Sequence, residues 1–185
     1  MSKKFGIIVD GQGDFAAINK RMGANCKVLK TDGPRGHTVA IEELAQSSKK
    51  QINMLRFFGC SVAVIVTDFE ERTEDYGLFL SRLKTEFGKL SLPIPVQVAV
   101  PNRMIENWYL ADIEHLSRKK TFLRNNLKQK NYEGKHGKHV LKQLLRKGIH
   151  YNEVKHGQEL FEILRFPVAR QNSRSFNEFL HCLGN

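Results

Sequence analysis

Cysteine is scarce. Cys26, Cys60 and Cys182 are the only three, lie far apart and show no Cys-x-x-Cys spacing, so neither a disulfide framework nor a thiolate zinc site is indicated. No apolar run is long enough for a signal peptide or a membrane span, so the expectation is a cytoplasmic, reduced protein without a membrane partner. No Gly-x-Ser-x-Gly elbow exists to present a serine nucleophile. Gly11-Gln12-Gly13 is too short for a dinucleotide-binding loop. Internal repeats, low-complexity tracts and Pro- or Ser-rich linkers are also missing. Acid is almost absent from residues 118–147, which hold eleven Lys or Arg against Glu133 alone. The whole chain carries a formal charge of +11, so the remainder, taken together, is nearly neutral.

What is present begins with two strand-like runs that stop abruptly on acids. Phe5-Gly6-Ile7-Ile8-Val9 runs into Asp10-Gly11-Gln12-Gly13-Asp14, and residues 62–67, Val-Ala-Val-Ile-Val-Thr, run into Asp68-Phe69-Glu70. Continuous β-branched runs bounded by loop-formers predict buried strands of a parallel sheet. Ligands of such sheets sit beyond the carboxyl ends of the strands, where these acids are poised to hold a divalent cation. Two further strands are predicted at residues 26–29 and 96–100. Helices are predicted over residues 14–23, with Asp14 as N-cap, and over 39–58, 76–86, 104–116, 157–164 and 175–183, the last capped by Ser173 or Ser175. The basic block is predicted as one or two helices broken near 131–137. The alternation of strands and helices predicts an α/β fold with a parallel sheet flanked by helices. The division expected is a core of residues 1–117 and a basic helical C-terminal extension, 118–185, packed on it.

A single-sign block of this size reads as a nucleic-acid footprint. Arg118, Lys119, Lys120, Arg124, Lys128, Lys135, Lys138 and Lys142 are its candidate contacts. Only Phe122 and Tyr132 interleave with them, which points to phosphate contact rather than base stacking. His136 and His139 have no nearby acid or Cys partner in sequence and read as surface or phosphate contacts, not a zinc pair. His37, His156 and Arg170 are further candidates for the site. Trp108 reads as core and Asp112 as structural.

A strand ending in acid-Gly, followed by a later strand ending in Asp-x-acid, resembles the TOPRIM fold, a Rossmann-like arrangement found in topoisomerases, primases and overcoming-lysogenization-defect (OLD) nucleases. The usual Glu-Gly and Asp-x-Asp stand here as Asp10-Gly11 and Asp68-x-Glu70. Glu106-Asn107-Trp108-Tyr109-Leu110-Ala111-Asp112 is similar to the Glu-x-Trp-x-Leu-Ala-Asp signature of a TOPRIM-like family of small prokaryotic proteins often encoded near defence ATPases. The resemblance covers roughly residues 5–115 and, more weakly, the C-terminal tail to Leu183. It implies an Mg²⁺- or Mn²⁺-dependent nuclease acting on DNA or RNA in phage defence, with an ATPase as protein partner and a homodimer as a further assembly. Carried over, Asp10 takes general acid/base or metal contact, Asp68 and Glu70 hold the metal, Asp14 is a second ligand, and Glu106 adds a carboxylate opposite them. Hard divalent ions take oxygen ligands and keep several waters, so two to four carboxylates suffice.

Asp at position 10 is one methylene shorter than the usual Glu, a retreat of about 1.5 Å. That departure motivates an alternative, a non-catalytic nucleic-acid-binding or ATPase-binding module on the same fold. A third reading is a receiver-like protein phosphorylated at Asp68.

Overall fold

Val62–Val66 is buried along its whole length and forms one of the two central strands of the sheet. In the computed structural model, which describes residues 4–34 and 36–184, it is β3. It pairs in parallel with β1 (Phe5–Val9) on one side and β4 (Val96–Ala99) on the other, and β2 (Lys27–Lys30) completes the order β2-β1-β3-β4. Successive side chains alternate between faces. Ile7, Val9, Val64 and Val66 enter one core cluster, and Ile8, Ala63 and Ile65 the other.

The second face is covered by α2 (Ile41–Ser47), α3 (Lys49–Phe57) and α4 (Tyr76–Gly88), through Leu44, Leu55, Phe79 and Leu83. The first face is covered by α1 (Gln12–Met22) and by the C-terminal half: α5 (Glu106–Leu110), α6 (Ile113–Lys119), α7 (Gly137–Leu144), α8 (Glu153–Ile163), α9 (Phe166–Asn172) and α10 (Arg174–Cys182). Trp108 stacks on Phe179 at 4.8 Å and donates its indole N–H to Ser175 Oγ at 3.1 Å, all fully buried. Side chains of this size each contribute about 1.5–3 kcal/mol on burial. Residues 118–184 therefore pack on the sheet's first face, with α6 running across position 117. Among the described residues no helix is long and apolar enough to cross a membrane.

The four strands fall within a residue or two of the predicted positions, while the helices depart in instructive ways. Residues 39–58 are two helices rather than one, because the hydroxyls of Ser47 and Ser48 both bond the Leu44 carbonyl, at 3.1 and 2.9 Å, and compete with the helical ladder. Residues 104–116 also divide. Asp112 leaves helical geometry to accept the backbone N–H, Nε and Nη2 of Arg165 at 2.6–3.0 Å. Helix α1 starts before Asp14. Its N-cap is Gly11, and the Asp14 carboxylate reaches back to the Gly11 N–H at 3.2 Å.

The basic block is not helical between residues 120 and 136. A short antiparallel bridge, Leu123 to Leu145, fixes its ends, and Asn126 and Gly134 both take positive φ. Lysines and arginines four apart, such as Arg124 and Lys128, would also oppose a helix there. Helix α8 begins earlier than predicted, at Glu153, because the Asn152 side chain caps it through the Lys155 N–H at 2.8 Å. Helix α9 was not predicted, and Pro167 in its first turn is the signal that marks it. Ser173 is the N-cap of α10, accepting from Phe176 N–H. Residues 31–37, loop chemistry by sequence, are loop in the described residues, and Arg35 lies outside those.

Candidate active site

Strand order reverses between β1 and β3, since β1 leads outward to β2 and β3 outward to β4. In open α/β sheets the crevice beyond such a reversal is where ligands bind. Asp10 directly follows β1, and Asp68 stands two residues beyond β3. A cleft of about 390 Å³ opens there, lined among others by Asp10, Asp14, Asp68, Glu70, Lys138 and Glu153. The first four come from the two acid clusters at the strand ends. The last two come from α7 and α8, so the C-terminal half forms one wall. Gly13 makes that closure possible, because a Cβ there would stand 3.2 Å from Glu153 Cβ.

The acids are held individually. Asp10 Oδ2 accepts the Thr67 hydroxyl at 2.5 Å and the Asp68 N–H at 3.3 Å. Asp68 Oδ1 accepts the Ile105 N–H at 3.1 Å, which ties the β3 loop to the start of α5. Glu106, 2% exposed, accepts the Tyr151 hydroxyl on Oε1 at 3.0 Å, while its Oε2 is buried without a hydrogen-bond partner. Lys138 Nζ pairs with Glu153 at 3.0 Å. Glu70 lies at the rim with a left-handed φ of 51°, and its carboxylate is 3.6 Å from His37 Nδ1. Arg103 also takes a left-handed φ, 101°. It accepts the Glu70 N–H at 2.6 Å and donates from its guanidinium to the Glu70 and Arg72 carbonyls. Two strained residues clamped to each other at a strand-end cleft are a mark of a functional site.

Crowding and burial push these carboxyls toward protonation. Burial, with Asp14 and Glu70 adding to it against the Thr67 hydrogen bond, raises Asp10 to about 7. Burial likewise raises Glu106 to about 7, with Asp14 adding and Lys138 opposing. Asp68 is raised well above the usual carboxylate range by burial and then by Asp14, Glu106 and Asp10, and Asp14 is raised chiefly by burial. Burial alone would lower Lys138, but Glu106, Glu153 and Asp68 outweigh it and hold the ammonium above its ordinary range. Tyr109 and Tyr151, packed against the same acids, are raised by burial and by Glu106. Perturbed groups gathered in one cleft mark a candidate catalytic centre.

A hard divalent cation suits this donor set, which is all oxygen, and the unpartnered Glu106 Oε2 is a further donor held in reserve. The acids surround the cleft without closing on one point. Among the described residues no group of three or more Asp, Glu, His or Cys side chains already stands in an arrangement to hold a metal ion.

Of the other sequence candidates, Lys138 enters the cleft itself. Lys120 pairs with Glu159, Arg118 with Glu114, and Arg124 bonds the Leu145 carbonyl. Lys119, Lys128, Lys135 and Lys142 are exposed. His136 caps α7 through the His139 N–H and stands 3.5 Å from Glu71. His156 is buried against Phe122 and Tyr151, Arg170 bonds Asn177, and Asp112 holds Arg165. Thr67, Tyr151 and Glu153 escaped sequence reasoning. Thr67 adjoins Asp68 and was within reach of a closer reading, but nothing local marks the other two. A family model described as Domain of unknown function (DUF4276) matches residues 9–184. No curated protein and no solved structure matches the chain.

Proposed function

Because the chain belongs to the DUF4276 family, whose description assigns no activity, function has to be read from the cleft, and we propose a divalent-metal-dependent nuclease of TOPRIM type that cleaves phosphodiester bonds. One observation carries this reading: Asp10, Asp14 and Asp68 line the crevice where strand order reverses and Glu106 is buried within electrostatic reach of Asp14 and Asp68, each carboxyl pushed toward protonation by burial and by its neighbours.

Such mutual repulsion is relieved by a bound cation. Asp68, Asp14 and Glu106 would hold Mg²⁺ or Mn²⁺ there, with Glu70 at the rim. When bound, the ion supplies an activated water and stabilises the leaving oxygen. The chain's own residues do the rest. Asp10, near neutrality in its protonation, accepts or returns a proton, with Thr67 orienting its carboxylate. Lys138 offers an ammonium to a phosphate oxygen, and Glu153 holds that ammonium in place. The exposed Lys128, Lys135 and Lys142 supply sequence-independent attraction for the polyanion.

The test is cleavage of labelled DNA and RNA under Mg²⁺ and Mn²⁺, with Asp68→Asn alongside. Metal-dependent cutting lost in the variant supports the reading, and cutting retained in it removes the reading. The open ligand set favours a second proposal, a binding module that contacts nucleic acid or an ATPase partner without turnover. Salt-sensitive binding unchanged by chelation, with no cleavage in the presence of a defence ATPase, would select it.

A further inference from the structure

The opposite end of the sheet carries a second feature that the cleft does not use. Residues 15–31 and 44–67 contain seven Lys or Arg and no acid. Of these, Lys20, Arg21, Lys27 and Arg56 lie toward the amino ends of the strands, on the last turns of α1 and α3 and at the start of β2, and Lys20 pairs there with Glu162. Lys30, Lys49 and Lys50 lie toward the carboxyl ends, where Lys50 pairs with Asp32. At the amino ends, helix α3 finishes on Phe57, which is 87% exposed, and Phe58 follows. The two rings meet edge to face at 5.9 Å. Lys27 Nζ lies 4.2 Å over the Phe58 ring, and Lys4 Nζ bonds the Phe58 carbonyl at 2.9 Å. Arg56 and Met54 are exposed on the same turn.

An exposed aromatic set among cations, with no acid in either contributing segment, selects an anionic partner that also offers flat apolar faces. Single-stranded nucleic acid has both, because its unpaired bases can stack and its phosphates meet the ammonium groups. A membrane wedge would set its cations back from an apolar tip, whereas here they lie against the rings. Position agrees as well. Lys27 and Lys30 stand on the edge strand β2, and Lys30 Nζ is 3.4 Å from Gln12 Oε1, on the lip of the cleft. Lys27 and Lys30 are three residues apart and so stand on opposite faces of β2, and a nucleic-acid strand running from Phe58 to the acids would round this sheet edge over roughly the length of a five-residue β-strand, about 16 Å.

We propose that this amino end is a second nucleic-acid contact, where bases of a single-stranded segment stack on Phe57 while Lys4, Lys27 and Arg56 take its phosphates. This rests on the nuclease reading in one respect, that the same strand continues into the cleft.

The experiment is fluorescence anisotropy with labelled single-stranded DNA and RNA of about ten nucleotides, in chelator so that nothing is cut, on the whole chain and on Phe57→Ala and Phe57→Trp. Phe57→Ala is expected to weaken binding about tenfold, the loss of roughly one stacked base. Phe57→Trp should restore it, and an abasic strand of the same length should bind wild type and Phe57→Ala alike. Equal affinity of wild type and Phe57→Ala for the base-bearing strand would overturn the proposal. So would loss of Phe57→Ala from phosphatidylserine vesicles with strand affinity unchanged, which would assign the patch to a membrane surface. The two readings fail separately. Metal-dependent cleavage with unaltered Phe57→Ala affinity ends this proposal alone, and a tenfold affinity loss without cleavage under any metal ends the nuclease alone.

Discussion

The two ends of one four-stranded sheet have opposite chemistry. At the carboxyl ends, Asp10, Asp14 and Asp68 line one cleft walled by α7 and α8, with Glu106 of α5 buried close by. At the amino ends, Phe57 stands exposed beside Phe58, with Lys4 and Lys27 held on Phe58 and Arg56 exposed on the same turn. The sheet is parallel, so its polarity alone separates the two sets, and enclosure then makes them behave differently. Buried acids with like-charged neighbours resist ionisation and become sites for a cation. Exposed cations beside aromatic rings retain their charge in water and can meet an extended polyanion. The difference teaches that charge count is a poor guide here. The segment with the largest positive excess is partly spent on local pairing, through Glu114, Glu159 and Glu153, and the amino end likewise spends Lys20 on Glu162, which leaves Lys4, Lys27 and Arg56 beside the exposed rings.

The comparison can be broken most sharply at Asp68. Asp68→Asn is expected to reduce metal-dependent cleavage at least about a hundredfold, since loss of an outer-shell group alone costs about 10–100-fold. Thermal unfolding should show that the variant is folded and no less stable, because the Asn amide oxygen can still accept the Ile105 N–H and cannot ionise among the neighbouring acids.

The pH dependence of stability sharpens the same end. Asp10 and Glu106 have folded values near 7 against ordinary values of 3.8 and 4.5. The folded protein therefore binds more protons than the unfolded chain between those limits, and stability falls as pH rises from about 4 through 7. The expected loss across that range is on the order of 3–4 kcal/mol for each of the two groups in the metal-free protein. Denaturant titrations at pH 5 and pH 8 measure it, and millimolar Mn²⁺ at pH 8 should recover a part.

Gly137 tests the enclosure itself. A Cβ there would stand 2.8 Å from Asn107 Oδ1 and 2.9 Å from Glu106 Cβ. Gly137→Ala should destabilise by about 1–3 kcal/mol and move Lys138 off the cleft, lowering cleavage more than it lowers strand binding. The smallest effect is expected at the open end. Phe57→Ala should leave unfolding free energy within about 0.5 kcal/mol of wild type, as at other exposed positions. A large loss would mean that Phe57 is packed rather than presented.

Legibility followed the range of the interactions. The strands could be read because Ile7-Ile8-Val9 and Val62–Val66 are continuous apolar runs ended by acids, a strictly local pattern. The acids Asp10 and Asp68 could be placed at one crevice because parallel strands deliver their carboxyl ends to the same side. Glu106 was reached only through the resemblance of its segment to a known signature, and the fold brings it to Asp68 through Ile105, whose N–H bonds the Asp68 carboxylate. The helix break at Asp112 escaped because its cause is elsewhere in the chain, Arg165, 53 residues on, whereas the break at Ser47-Ser48 has a local cause in the hydroxyls that bond the Leu44 carbonyl. Glu153 and Tyr151 escaped as the Asp112 break did, since nothing around them in sequence refers to Asp14 or Glu106.

Sequence by itself determined the parallel α/β core and the two acid-terminated strands that meet at its crevice. Strand formation and chain polarity depend on neighbouring residues, and those neighbours are in plain view. Only the tertiary structure decided that Lys138, Tyr151 and Glu153 enclose those acids, and that Phe57 stands exposed among cations at the far end. Both outcomes depend on which face of the sheet the C-terminal helices cover, and that is settled by packing Trp108, Leu141, Phe161 and Phe176 into one core with Ile7 and Val64.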